Sequence, residues 1–466
     1  MRLAKLIKLK RKSARIVIKT LFSAACLLPL QSLIAQGNSP YSRYGLGDAV
    51  PNTNILNRGM GGIQAGYADF LNINFNNPAS YSQFQSLTEA RTGQRISGRV
   101  LLEAGINIEG QTLRSPNETD KFSSSNAYFS YVQFGVPLRK NWGLSFGLRP
   151  LSRVGYSIVN REQLRDPRNG SIIDSAFTEY SGDGGTFLPS IGTGFAIKNF
   201  SAGVNAGYLL GKREAATKRA LYNNELSYNN GNKTTLSSFG GLFFNLGAQY
   251  KIQINKSENR ETNLTLGANG NIKQTLRGTQ DFINETFIRD QQSGDLRLDS
   301  VYENKNVKGD VVYPASYTVG FVLDQRNPKN AAGWLIGVDF IQNKWEDYRF
   351  FGATDAVMNN WQIRTGAQHR PTPTRNYFSN VAYRAGFFMG PDHITAGGDL
   401  PTWGASVGFG LPISNFNRLT NQFTVINLAL EYAKRGNNEN IIKENTFRLS
   451  VGLNFSDLWF NKRKYD

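Results

Sequence analysis

The 466-residue chain sets 53 lysines and arginines against 35 acidic residues, a formal charge of +18, yet only 19% of its residues are charged. It has 47 glycines, 30 phenylalanines and 20 tyrosines, its mean hydropathy is −0.39, and after residue 35 no run approaches the roughly 18 apolar residues of a membrane helix. This excludes a helical membrane protein, and the 12% aromatic content argues against disorder.

Residues 1–35 read as an export signal. Eight basic side chains and no acid precede an apolar stretch from Leu21 to Leu30, and Ser32-Leu33-Ile34-Ala35 predicts cleavage after Ala35. Cys26 invites a lipoprotein reading, but the apolar stretch runs on past it. Cleavage would take eight of the 53 basic residues and none of the 35 acids, lowering the charge from +18 to +10. It would also remove the only cysteine, and with it disulfides and thiol chemistry. Export and the scattered remaining charge exclude nucleic acid as a partner.

Residues 36–86 do not alternate. They contain Ser39-Pro40-Tyr41, Met60-Gly61-Gly62 and Asn76-Asn77-Pro78-Ala79. Irregular backbone of this kind needs hydrogen-bond partners away from lipid, which predicts a hatch, or plug, inside a polar lumen.

From residue 87 to 460 the chain reads as strands of a transmembrane barrel, with 461–466 as a periplasmic tail. Phe447, Leu449, Val451, Leu453 and Phe455 alternate with Arg448, Ser450, Gly452 and Asn454, and Trp403 to Leu411 behaves alike. Period-two alternation is the mark of a strand with lipid on one face. The same test predicts fourteen strand cores: 102–108, 128–136, 142–148, 187–197, 202–210, 242–254, 264–272, 315–323, 335–341, 361–367, 381–388, 403–411, 423–432 and 447–455. The gaps after odd-numbered cores hold at least 14 residues and those after even-numbered cores at most 13. Short periplasmic turns and long outer loops produce that parity, with both termini in the periplasm. The expected fold class is therefore all-β: a 14-stranded antiparallel transmembrane β-barrel with an N-terminal hatch, in the outer membrane of a Gram-negative bacterium. A soluble sandwich would explain the alternation but not the signal or the loop parity.

Gly404-Ala405-Ser406-Val407-Gly408 matches a nucleophile-elbow pattern, yet Ser406 falls in mid-strand without a following helix. With only His369 and His393 available, neither catalysis nor a transition-metal site is expected, and no cofactor.

The Gly-rich lead, Asn77-Pro78-Ala79 before the first strand, Phe134-Gly135-Val136-Pro137-Leu138, Trp142-Gly143-Leu144 and Pro314-Ala315-Ser316-Tyr317 together resemble the FadL/TodX family of outer-membrane transporters for hydrophobic compounds. The resemblance implies passive uptake of fatty-acid-like molecules, gated by movement of the hatch around Asn77, Pro78 and Ala79. Phe70, Leu71, Phe75 and Pro78 would line the groove, and the same residues serve equally as packing between hatch and wall. Implied partners are outer-membrane lipid, lipopolysaccharide, a hydrophobic small-molecule ligand and other outer-membrane proteins. The ending Ser456 to Asp466 departs from a barrel that stops at a terminal Phe and resembles Bacteroidetes-type members. Some of their relatives serve protein-export or barrel-assembly machines, so the alternative function is a non-transporting accessory subunit of such a complex.

Overall fold

The computed structural model describes residues 39–459 apart from 89–94, 117–119, 166, 171, 223–228, 291–293, 396–397 and 414–421. The expected export signal and the tail at 461–466 lie outside the described residues. Fourteen antiparallel strands form a closed ring. They are β1 (Arg95–Arg114), β2 (Lys121–Arg139), β3 (Trp142–Arg165), β4 (Ile172–Ile197), β5 (Phe200–Tyr222), β6 (Asn230–Lys256), β7 (Glu261–Asn271 and Gln274–Asp290), β8 (Gly294–Tyr313 and Ser316–Arg326), β9 (Gly333–Asn343), β10 (Asn360–Arg370), β11 (Ala382–Pro391), β12 (Pro401–Ile413), β13 (Phe423–Arg435) and β14 (Lys443–Trp459). β14 returns to β1, Phe455 opposite Leu102 and Ser450 opposite Asn107, which closes the ring as a barrel in lipid requires.

The interruptions in β7 and β8 lie side by side. Pro314 cannot donate to the ladder. Asn271 bridges both breaks, its Nδ2 donating to Ile272 O at 3.1 Å and Pro314 O at 2.9 Å.

Each expected core falls on one of these strands. The outer segments expected as loops at 149–186, 211–241 and 273–314 are instead mostly strand, for β3 to β8 continue well past the lipid-facing band. The reason is that backbone pairing does not require lipid: once both faces meet water the alternation fades while the ladder persists. This raised wall parts from β2 above Val132 and Leu148, where the β2–β3 pairing ends. The freed edge of β3 is then covered by the N-terminal segment, Asp48 opposite Arg153 and Ala49 opposite Ser152.

One parity of each strand faces outward. Ile106, Phe195, Leu246, Val319, Phe340, Val407 and Leu453 are all exposed, forming the apolar band expected against lipid. A charge placed in that band must lose its hydration. Val407→Arg is therefore expected to destabilise the barrel by about 2–4 kcal/mol, read as a shift in urea unfolding from lipid vesicles.

Candidate functional site

The N-terminal segment fills the lumen, and its local structure comes from short capped turns. Asn54 caps the helix Ile55–Arg58, its Oδ1 accepting from Asn57 N at 2.9 Å. Asn77 caps the 3-10 turn Pro78–Gln83, its Oδ1 accepting from Ala79 N at 3.2 Å. Proline right after the cap suits a turn whose first N–H has no partner.

Polar side chains of the wall then meet the plug's free backbone groups. Asn205 on β5 donates to Phe75 O at 2.9 Å, and Asn245 on β6 donates to Asn76 O at 2.7 Å. Gln249 reaches Ala65 O at 2.9 Å, and Arg149 on β3 reaches Asn76 Oδ1 at 3.0 Å. To either side of these strands, the Asp339 carboxylate on β9 accepts from Gln64 N and Ala65 N, and Glu103 on β1 accepts from Ile73 N at 2.8 Å. Asn454 on β14 donates to Leu71 O. Arg58, 1% exposed, donates to Asn107, Ser450, Pro51 O and Thr53 O. Each such bond satisfies a carbonyl or amide that would otherwise cost about 1–3 kcal/mol when buried.

The expected groove residues divide. Asn77, Ala79, Pro78 and Phe75 are buried against the wall. Phe75 packs on Tyr131, ring centres 5.2 Å apart, with the Arg149 guanidinium 4.7 Å above it. Leu71 is half-buried and Phe70 is 40% exposed. Asn77 Nδ2 donates to Ala65 O at 2.7 Å, so its amide ties the plug to itself as well as to the wall. The wall floor beneath Asn77 and Pro78 is glycine: Gly194, Gly203 and Gly247 leave room that a Cβ would fill with a backbone collision or a clash with the Asn77 side chain.

Ser406, the centre of the elbow-like pattern, is explained by the same fit. It lies in mid-strand on β12, 3% exposed, and its Oγ accepts the Gly61 N–H at 3.0 Å. His369 is exposed near the end of β10, and His393 stacks on Trp345 at 4.2 Å, so neither addresses Ser406.

At the opposite end of the plug, Arg435 gathers three carboxylates: Asp48 at 2.8 Å, Asp392 at 2.9 Å and Glu444 at 3.2 Å. Its guanidinium also stands 4.8 Å over Tyr41, while Ser39 Oγ donates to Glu444 at 2.5 Å. Burial alone would raise the Asp392 carboxyl, but the Arg435 guanidinium and then His393 outweigh it and hold the group well below the ordinary carboxylate range. A depressed folded pKa gives stability that is present above the unfolded value of about 3.9 and is lost as pH falls through the folded value. Asp392→Asn is thus expected to be less stable than wild type at pH 7, by about 1–3 kcal/mol. The difference should shrink as the pH is taken down below about 4. Denaturation midpoints of both proteins at pH 7 and pH 3 check this.

Between the two ends lies a cavity of about 450 Å³. Arg58, Glu109, Arg149, Arg364, Glu431 and Arg448 line it. Such a chamber suits water and ions better than the apolar groove a hydrophobic passenger needs. The sequence reading missed Arg58, Arg149, Asn205 and Arg435 as plug anchors. Asn205, Asn245 and Gln249 could have been found, because each is a polar side chain on the parity opposite the lipid-facing one.

Comparison with known proteins corrects the family. The BamG family model matches residues 17–466, nearly the whole chain, and overturns both the FadL/TodX assignment and the expected uptake of hydrophobic molecules. No curated protein matches the chain. Among solved structures, the CymD monoaromatic hydrocarbon channel is 13% identical, with a TM-score of 0.50 over 86% of this chain and 97% of that one. A toluene transporter, TodX of P. putida, is 14% identical, with a TM-score of 0.48 over 89% and 100%. A FadL homologue from Pseudomonas aeruginosa is 14% identical, with a TM-score of 0.46 over 89% and 98%. At these identities the likeness to CymD shows a shared fold and nothing of the cargo. The fold and family together place the chain in an outer membrane as a barrel that is not an enzyme.

Proposed function

The chain belongs to the BamG family, and from that membership we propose that it serves outer-membrane protein assembly as an accessory subunit that transports nothing. The observation that carries the reading is the plug's attachment. Wall side chains round the lumen, Asn205 and Asn245 on one side, Ser406 and Asn454 on the other and Asp339 between them, hold its backbone. Opening a path through the barrel would break these bonds together. Each net bond is worth about 0.5–1.5 kcal/mol, so their joint loss exceeds what binding of a small apolar molecule readily supplies. A closed barrel instead offers rigid surfaces to neighbours.

In this reading the rim with the short turns, such as Ile197-Lys198-Asn199-Phe200, faces the periplasm with the end of β14, and the raised wall of β3 to β8 stands outside the cell. The expected periplasmic N-terminus is not met by the described residues, since Ser39 and Asp48 meet Glu444 and Arg153 at the raised-wall end. The partners are other outer-membrane proteins of the assembly machinery. Depleting the protein is expected to lower the amounts of other barrels in the outer membrane. The gently extracted chain should come out in a complex with barrel-assembly components. Unchanged barrel content on depletion, together with a monomer carrying a bound hydrophobic compound, would defeat the reading.

A further inference from the structure

On the raised wall an open groove of about 1140 Å³ runs across β4 to β8. Its face is settled by parity. On β5, Asn205 and Arg213 reach the plug carbonyls of Phe75 and Gly45, so Tyr208, Leu210 and Lys212 point outward. Cross-strand partners carry that outward face along. Lys212 stands opposite Ser238, then Thr279, then Lys308; Leu210 stands opposite Gly240, then Arg277.

The lower half of the groove is apolar: Phe187, Tyr208 and Leu210 are 46%, 48% and 49% exposed and continue the lipid-facing band. The upper half is charged. Lys212, Arg277 and Lys308 line it together with Asp183 and Asp310, and none of the five side chains has an ion pair or side-chain hydrogen bond among the described residues. Gly240 occupies an outward position on β6, between the strands of Lys212 and Arg277, and leaves the backbone floor bare there. Lys212 and Lys308 are three strand steps apart, about 14 Å at roughly 4.8 Å per step.

We propose that this groove holds a phosphorylated glycolipid of the outer leaflet. Its acyl chains lie on Phe187, Tyr208 and Leu210, while its anionic groups meet Lys212 at one end and Arg277 with Lys308 at the other. Unpaired cations just above an apolar band stand at the depth where phosphates of a bilayer lie, and cation–phosphate bonds are strong when water is partly excluded. The two carboxylates select the headgroup. Asp183 and Asp310 repel a bare phosphate but accept hydrogen bonds from sugar hydroxyls, so a sugar headgroup satisfies all five charges. A glycerophospholipid, with its single phosphate, spans only one of the two cationic poles.

The site rests on the orientation given above, which is read separately. Asn304→Cys, exposed near the top of the wall, should react with an impermeant maleimide on intact cells; absence of labelling overturns the orientation and the site with it. For binding, the delipidated full chain is titrated with lipid A, phosphatidylglycerol and inorganic phosphate and followed by native mass spectrometry. Lipid A is expected to bind one to one. Joint Lys212→Ala, Arg277→Ala and Lys308→Ala should weaken it at least tenfold, and Tyr208→Ser should weaken it while leaving all three cations in place. Each variant must keep the heat-modifiable gel mobility of the folded barrel. Undiminished binding to the triple variant overturns the proposal, as does equal binding of phosphatidylglycerol or displacement of lipid A by phosphate.

Discussion

Arg58→Ala is expected to release the plug while leaving the ring of strands closed. The guanidinium is buried where the helix Ile55–Arg58 meets β1 and β14, and it is the donor for Pro51 O and Thr53 O at 2.8 Å each. Burial depresses its pKa, with the nearby Arg448 adding to the effect, so the charge is held at a cost that these bonds offset. Truncation relieves that cost but strands two buried carbonyls, at about 1–3 kcal/mol each, and leaves a void beside Asn107 and Ser130. The losses win because the plug is held by hydrogen bonds more than by apolar area. Arg58→Met, which refills the void without restoring donors, should fall between wild type and alanine. Chymotrypsin cleavage within residues 39–86, where no variant alters a Tyr, Phe or Leu site, and ionic conductance in planar bilayers should both rise in the order wild type, methionine, alanine. Cleavage and conductance at the wild-type level in Arg58→Ala would show that the plug does not depend on this anchor.

How much could be read in advance follows from where lipid imposes a pattern. Alternation marks Trp142 to Leu148 because the outward positions meet hydrocarbon. It vanishes at Arg161-Glu162-Gln163, although β3 still pairs with β4 there, Gln163 opposite Ser175. The membrane portion of every strand was therefore legible and the raised wall was not. In the plug, Asn77-Pro78-Ala79 stood out only as a motif resembling that of a family, and the cap that Asn77 makes on the following turn is what the structure adds. Arg58 and Arg435 did not, because their roles are set by partners far along the chain, Ser450 and Asp48. The FadL/TodX-like motifs misled about function for a physical reason. Asn77 caps the plug's turn while Gly203 and Gly247 seat it, and a sealed barrel needs that seat as much as a channel does. The motifs speak for the fold, and cargo is not written in them.

The second large effect is expected at Gly386 on β11, where wall and plug approach backbone to backbone. A Cβ there would run into Met60 C and Gly61 N and Cα, none of which can swing aside as a side chain tip could. The plug cannot yield locally either. Gly61 sits at φ +66°, and a Cβ on it would collide with Thr365 O and with Phe387 N and O, so only glycine fits on both sides of the contact. Gly386→Val must therefore push the whole Met60–Gly62 turn inward. That breaks the Gly61 N–H bond to Ser406 and the Arg364 bond to Gly62 O, held at 3.0 and 3.1 Å. Overpacking alone costs about 1–3 kcal/mol, and the two lost bonds add to it. Gly110→Val is the matching control, since a Cβ at Gly110 meets nothing within 4 Å and valine suits a strand. The Gly386 variant should fold its barrel, judged by heat-modifiable mobility, yet expose the plug to trypsin, whereas the Gly110 variant should match wild type in both assays. Equal protection of the plug in the two variants would mean that the turn at Met60–Gly62 has slack, and the tight seating inferred for it would fail.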